Sequence, residues 1–189
     1  TKAQKYRLGV MMPFYLPPDG DYANKKYQAS LQAEVITWVE RFKNYPAVRM
    51  WAIGNETLHD MPSAGDPRAF AEFYVRLVDK VHAVDPNHPV IYRDAEDVFV
   101  GPLRETLARG RIKRPWLAYG MNIFTYRIIP VLADWPNQGL DLALVITEFA
   151  PSGLSSEDRP AGLVKMGRVI REHNANVLGG LVYVWTTEG

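Results

Sequence analysis

An α/β fold built on a parallel sheet is predicted from three observations. Strand-like and helix-like segments alternate along the chain, giving six strands and five connections, most of them helical. Two runs, VRMWAI at 48–53 and LALVI at 142–146, are apolar but for Arg49, as strands buried on both faces are. Polar residues collect just beyond the carboxyl ends of the strands, where parallel sheets and barrels place their sites. Strands in this order require right-handed crossovers.

Residues 6–12 read as the first strand. The prolines at 13, 17 and 18 exclude a central strand beyond it and make PFYLPPDGDY a loop, on which Phe14, Tyr15 and Tyr22 ride, placed to stack on a sugar or peptide or to pack on the core. Leu31, Val35, Trp38, Val39 and Phe42 recur at helical spacing, which predicts a helix over 27–42 with Trp38 in the core, stopped by Asn44 and Pro46. After the strand at 48–56, Asp66 is an N-cap with Pro67 at the first helical position, and Phe70, Phe73, Tyr74, Leu77, Val78, Val81 and Val84 form one face of a helix over 67–84. Lys80 and His82 lie in its last turn, opposite the negative end of the helix dipole, with His82 expected at the surface.

A short strand at 88–92 ends in Arg93, Asp94 and Glu96. Either acid is placed to touch a substrate, to orient Arg93 or to cap the next helix, which is expected over 99–109 with Val98, Phe99, Leu103 and Leu107 inward. The strand at 116–121 ends in Asn122, with Phe124, Tyr126 and Arg127 following, and residues 128–135 read as a short helix. The strand at 140–148 ends in Glu148. Ser155 with Asp158 matches a capping box that opens a helix through Leu163, Met166, Val169 and Ile170, and residues 177–185 form the last strand.

A chain of 189 residues, 47% hydrophobic, buries a sizeable core and reads as one compact domain. A net charge of +1 without a basic cluster interleaved with aromatics argues against nucleic acid as a partner. No run of about eighteen apolar residues is present, so no membrane-spanning helix is expected within this chain. Having no cysteine, the chain offers neither disulfides nor a thiolate, which leaves the compartment open, with a secreted or periplasmic location slightly favoured over the cytoplasm. The histidines at 59, 82, 88 and 173 lack metal-ligand spacing. Neither GMN at 120–122 nor GGL at 179–181 has the spacing of a phosphate loop, so no nucleotide cofactor is expected.

Glu56 and Glu148 each terminate an apolar strand. Two parallel strands delivering one carboxylate apiece to the same sheet edge make a pair fit for acid/base and nucleophilic work; the alternative is that each caps a helix or pairs with an arginine.

These residues also carry a resemblance. WAIGNE at 51–56 resembles the fourth-strand signature of the retaining glycoside hydrolases of clan A, a (β/α)8 superfamily whose acid/base glutamate follows an asparagine. ITEFA at 146–150 resembles the seventh-strand nucleophile motif, and VYVWTTEG at 182–189 the eighth strand, whose tryptophan, here Trp185, floors the sugar subsite. Asn122-Ile123-Phe124 is similar to the sixth-strand Asn-x-Tyr of the galactosidase- and glucuronidase-like family 2 barrels, with Phe124 in place of the tyrosine, so that its hydroxyl is absent or supplied elsewhere, as by Tyr126. His59 is similar to a histidine near the acid/base in some relatives.

The resemblance implies a partial TIM (β/α)8 barrel, with residues 1–189 a single catalytic domain that covers strands three to eight. A complete barrel takes about 250 residues, so a preceding segment carrying two strands, one of them often with an arginine near the nucleophile, is expected to be missing. Two open sheet edges would then pair with that segment or with another copy. The implied activity is retaining β-glycoside hydrolysis of a carbohydrate substrate, with Glu148 as nucleophile and Glu56 as acid/base held protonated. Asn55 is expected on the sugar 2-hydroxyl, with Tyr15, His59, Asn122, Phe124, Tyr126 and Trp185 as further substrate contacts. A transglycosylase of the same chemistry and a non-catalytic carbohydrate-binding or assembly fragment are the alternatives.

Overall fold

The computed structural model describes residues 2–97, 100–110 and 112–183. A short helix α1 (Lys2–Lys5) precedes β1 (Val10–Phe14), α2 (Lys25–Phe42), β2 (Val48–Ile53), α3 (Pro67–Val84), β3 (Val90–Ala95) and α4 (Val100–Gly110). There follow β4 (Leu117–Ile123), α5 (Ile128–Asp134) with a 3-10 turn over Trp135–Gln138, β5 (Ala143–Phe149), α6 (Arg159–Glu172) and β6 (Val177–Val182). The strands lie in chain order and every neighbouring pair is parallel, so each helical crossover advances the sheet by one strand. The sheet curls into an open, incompletely closed barrel, with β1 and β6 each paired on one side among the described residues. No helix among the described residues is long and apolar enough to cross a membrane.

The core has two layers because strand side chains alternate between faces. On the outer face large side chains meet the helices: Trp51, Tyr92, Tyr119 and Ile146 pack with Phe70, Tyr74 and Leu77 of α3. The concave face is lined by Ala52, Ile91, Ala118 and Val145, small or slender residues that suit the narrower side of a curled sheet. The helix α3 starts where Asp66 Oδ1 accepts from the backbone of Arg68 at 3.0 Å and Ala69 at 2.9 Å, with Pro67 at its first position. Asn24 does the same for α2 through Lys26 and Tyr27.

Several sequence expectations are corrected. The first strand begins at Val10, and Tyr6 and Leu8 are exposed. It continues through Pro13, because Met12, Pro13 and Phe14 stay in register with Trp51, Ala52 and Ile53 of β2, the one partner strand of β1 among the described residues. Trp38 lies on the rim of the core, half-buried beside Phe42, because its side of α2 opens onto a shallow groove shared with Phe14, Glu34 and Arg41. His82 is half-buried rather than at the surface; its ring stacks on Trp116 at 4.2 Å, since the end of α3 lies over the entry to β4. Ser155 and Asp158 do bond reciprocally, at 2.9 and 3.2 Å, yet they close a turn and α6 begins only at Arg159. Val98, Phe99 and the end of the last strand, including Trp185, lie outside the described residues.

At the amino ends of the strands Asp85 joins three elements. It accepts from Trp51 Nε1 at 2.8 Å, from the Asn87 backbone at 3.1 Å and pairs with His88 Nδ1 at 2.7 Å. Burial pushes the carboxyl up, but these bonds outweigh it and hold it below the ordinary aspartate value. Its stabilising contribution is therefore present above the ordinary aspartate pKa and lost as pH falls through the lowered folded one. Asp85→Asn is expected to cost about 1–3 kcal/mol in urea unfolding at pH 7. The gap to the unsubstituted protein should close in acid; one that persists there would rule out the ionised carboxylate as its source.

Candidate active site at the carboxyl ends of the strands

Just past β2 the chain turns at Gly54, whose φ of 83° is left-handed, and reaches Glu56, which has a φ of 52° although it carries a side chain. The Glu56 N–H donates to the Arg93 carbonyl at 3.0 Å, so the sheet ladder continues one step beyond the strand and holds this glutamate at its edge. Glu96 repeats the device one strand on, with a φ of 49° and its N–H on the Asn122 carbonyl at 3.0 Å.

Asn122, almost fully buried at the end of β4, connects three strands. Its Nδ2 donates to Glu56 Oε1 at 2.7 Å and to Asn55 Oδ1 at 3.2 Å, and its Oδ1 accepts from Thr147 Oγ1 at 2.8 Å. Thr147 precedes Glu148 on β5. Glu148 and Arg93 lie 4.0 Å apart, with side chains only 22% and 17% exposed. Burial lifts Glu148 above the ordinary glutamate value, the Arg93 guanidinium opposes that, and the charge of Glu56 adds to it. Arg93 is itself depressed by burial, with both Glu148 and Glu56 acting against the depression. One guanidinium therefore feels both carboxylates, and the charge of Glu56 is felt at Glu148.

Arg93 reaches this place because β4 carries a glycine beside it. A Cβ on Gly120 would stand 2.8 Å from Arg93 Cγ and from Thr147 Cγ2, and 3.0 Å from the Tyr92 carbonyl oxygen. Gly120→Ala is expected to destabilise the fold by about 1–3 kcal/mol through overpacking. Chemical denaturation measures this, and an unchanged midpoint would mean that Arg93 has other room.

A cleft of about 360 Å³ opens beside Glu56, lined by Glu56, His59, Ala95, Glu96, Asn122, Phe124 and Thr125, with Glu148 outside that lining. The Phe124 ring meets Tyr183 edge-on at 5.4 Å. Arg127 pairs with Glu96 and, at 3.0 Å, with Asp97, which ties the loops after β3 and β4 together. A larger depression of about 710 Å³ lies at the opposite strand ends among Pro115, Trp135, Leu140 and Asn176, with Asp141 its one acidic lining residue among those described. The cleft beside Glu56, with His59 and Glu96 also in its lining, and not the larger depression, has the titratable groups that acid/base chemistry needs. Among the described residues no group of three or more His, Cys, Asp or Glu is arranged to hold a metal ion.

Residues 19–137 match the family described as glycosyl hydrolases family 2, TIM barrel domain, a span that includes Asn55, Glu56 and Asn122 and stops before Glu148. The chain belongs to this family. No curated protein matches the sequence. Among solved structures, this family 2 chain is similar to the GH53 catalytic domain of Ignisphaera aggregans, with 16% identity and a TM-score of 0.62 over 96% of the chain and 64% of that domain. It is also similar to a GH128 endo-β-1,3-glucanase of Pseudomonas viridiflava, with 14% identity, a TM-score of 0.61 and coverage of 95% and 81%. A GH2 β-galacturonidase of Eisenbergiella tayi matches at 14% identity and a TM-score of 0.65, over 96% of the chain and 34% of the enzyme. At these identities the likeness is one of fold. The chain spans less than two thirds of the first and about a third of the last.

Within this family 2 barrel the predicted site residues separate. Asn55, Glu56 and Asn122 share one hydrogen-bond network, Glu148 is coupled to it through Arg93, and His59 and Phe124 line the cleft. Tyr126 is not among the lining residues; Lys165 of α6 sits 4.3 Å over its ring. Tyr15 is 61% exposed and also lies outside the cleft lining. Trp185 lies outside the described residues. Arg93, Thr147, Gly120 and Tyr183 do not stand out as site residues in the sequence. Alternation from Ile91 would have placed Arg93 on the concave face, but nothing local identifies Glu148 as its partner.

Proposed function

We propose that the protein is a retaining β-glycoside hydrolase in which Glu148 is the nucleophile and Glu56 the acid/base. The observation that supports this reading is that both strand-end glutamates act on Arg93, Glu148 from 4.0 Å, while Asn122 bonds both Glu56 and Thr147, the residue before Glu148. In the first step the Glu148 carboxylate attacks the anomeric carbon as the glycosidic C–O bond breaks, and the Glu56 carboxyl gives its proton to the leaving oxygen. In the second, Glu56 takes a proton from water, the hydroxide oxygen bonds to the anomeric carbon, and the ester to Glu148 breaks. Asn122 steers the Glu56 carboxyl, Asn55 is positioned for the sugar 2-hydroxyl, and Phe124 forms the apolar side of the cleft. Arg93 supplies the charge that favours Glu148 in its ionised form, against the burial that lifts it.

Trapping tests the proposal. The full-length protein is incubated with activated 2-deoxy-2-fluoro β-glycosides of glucose, galactose, mannose and glucuronic acid, and followed by intact mass and peptide mapping. A fluoroglycosyl adduct on Glu148 is the expected result, and the sugar that labels names the substrate class. A label on another carboxylate would reassign the nucleophile. Absence of both labelling and turnover across the panel would overturn the hydrolase reading.

A further inference from the structure

We propose that Asp94 is a positioning residue for the acid/base glutamate, holding from behind the sheet the turn that carries Glu56; the inference rests on the role assigned to Glu56 above. Successive side chains of β3 point to opposite faces. Arg93 faces the concave side and Glu148, whereas Asp94, on the face of Tyr92, is fully buried on the outer side. Its Oδ2 accepts from the Leu58 backbone at 3.3 Å and from the Tyr92 hydroxyl. Its Oδ1 accepts from the His59 backbone at 3.3 Å and from its own neighbour Ala95 at 2.8 Å.

Leu58 and His59 belong to a single helical turn that begins at Glu56, closed by the Asp60 N–H on the Glu56 carbonyl at 2.8 Å. Such a turn leaves its first N–H groups without intrinsic partners, and Asp94 supplies two of them from a different strand. β3 therefore grips Glu56 on both sides, through the Arg93 carbonyl on its own N–H and through the Asp94 carboxylate two and three residues later. The grip matters because Glu56 holds a left-handed backbone that its own side chain disfavours. No cation pairs with Asp94 among the described residues, and burial lifts its carboxyl to about 6 against the bonds from Tyr92, Ala95, His59 and Leu58. An ionised group that the fold must bury at neutral pH weakens stability, so stability does not account for an acid here; geometry does.

Asp94→Asn keeps the shape and spoils the grip, since either orientation of the amide turns its NH₂ toward a backbone N–H. In the full-length protein, hydrolysis of the phenyl β-glycosides of the four sugars above is expected to fall about 10²-fold, the scale of a misplaced catalytic group. The 2,4-dinitrophenyl glycosides, whose leaving group needs no proton, should fall only about fivefold or less. The melting temperature should hold or rise, and amide exchange at Leu58 and His59 should accelerate. Asp94→Ala, which removes the acceptors without adding a donor, should give the same leaving-group split. Equal losses on both leaving groups, or unchanged exchange at Leu58 and His59, would overturn the assignment. An unsubstituted protein that hydrolyses neither series overturns the reading of Glu56 and this catalytic role with it; exchange still decides separately whether Asp94 holds the turn.

Discussion

Glu148→Gln is expected to reduce turnover of an activated β-glycoside by on the order of 10⁵-fold, the scale seen when a covalent nucleophile is removed. Glutamine keeps the length and shape of the side chain, so Asn122, Thr147 and the cleft are left in place. It cannot form the glycosyl ester, and it ends the ion pair with Arg93. The fold should tolerate the change. Burial already lifts Glu148 above its ordinary value, which means that the folded chain holds the ionised form at a cost, and removing the charge offsets the loss of the 4.0 Å contact. Steady-state rates on 2,4-dinitrophenyl glycosides together with thermal unfolding test both parts. A folded variant that retains more than about a tenth of the rate would exclude Glu148 as nucleophile.

The second large effect is expected at Glu56, and it should depend on the leaving group. Glu56→Gln removes the proton donor while Asn122 Nδ2 still has an oxygen to bond at this position, so the network across the strand ends survives. Phenyl glycosides, which need protonation to depart, should slow by about 10³–10⁴-fold. Dinitrophenyl glycosides should form the glycosyl-enzyme quickly and then stall, since no base remains to activate water; a burst of dinitrophenolate followed by a slow phase is the signature. Added azide, which attacks without giving up a proton, should restore turnover and yield a β-glycosyl azide of retained configuration. A uniform slowing without a burst or azide rescue would move the acid/base role to another group, with Glu96, which also lines the cleft, the first to substitute.

Strand-end glutamates are legible because a buried parallel strand stays apolar along its length, so a run that stops abruptly at a carboxylate marks the point where the chain leaves the core. The helix over Pro67–Val84 is equally plain, since Asp66 and Pro67 mark its start and its apolar face is continuous. Less legible are residues whose roles depend on what lies on another strand. The sequence leaves Asp94 as a substrate contact, a cap or a partner for Arg93; it points away from Arg93 and serves the turn after β2. Glu96 has the same three readings and is bound by Arg127, which leaves it on the cleft wall with its charge already paired. Tyr126, one possible source of the hydroxyl that Phe124 lacks, has a lysine of α6 over its ring, a contact that only the packing of α6 reveals.

What the sequence determined by itself is local and periodic: where strands and helices run, which face of each is apolar, and that two glutamates, Asn55 and Asn122 stand at strand ends. These follow from alternation, helical spacing and capping, which act over a few residues. Only the tertiary structure decided which of those ends touch. Asn122 reaches Glu56 because β2, β3 and β4 lie side by side in register, with the N–H of Glu56 on the Arg93 carbonyl and that of Glu96 on the Asn122 carbonyl. Arg93 reaches Glu148 across β4 because Gly120 leaves the space. Both contacts depend on strand order, curl and a missing Cβ, which long-range packing sets and no short stretch of sequence encodes.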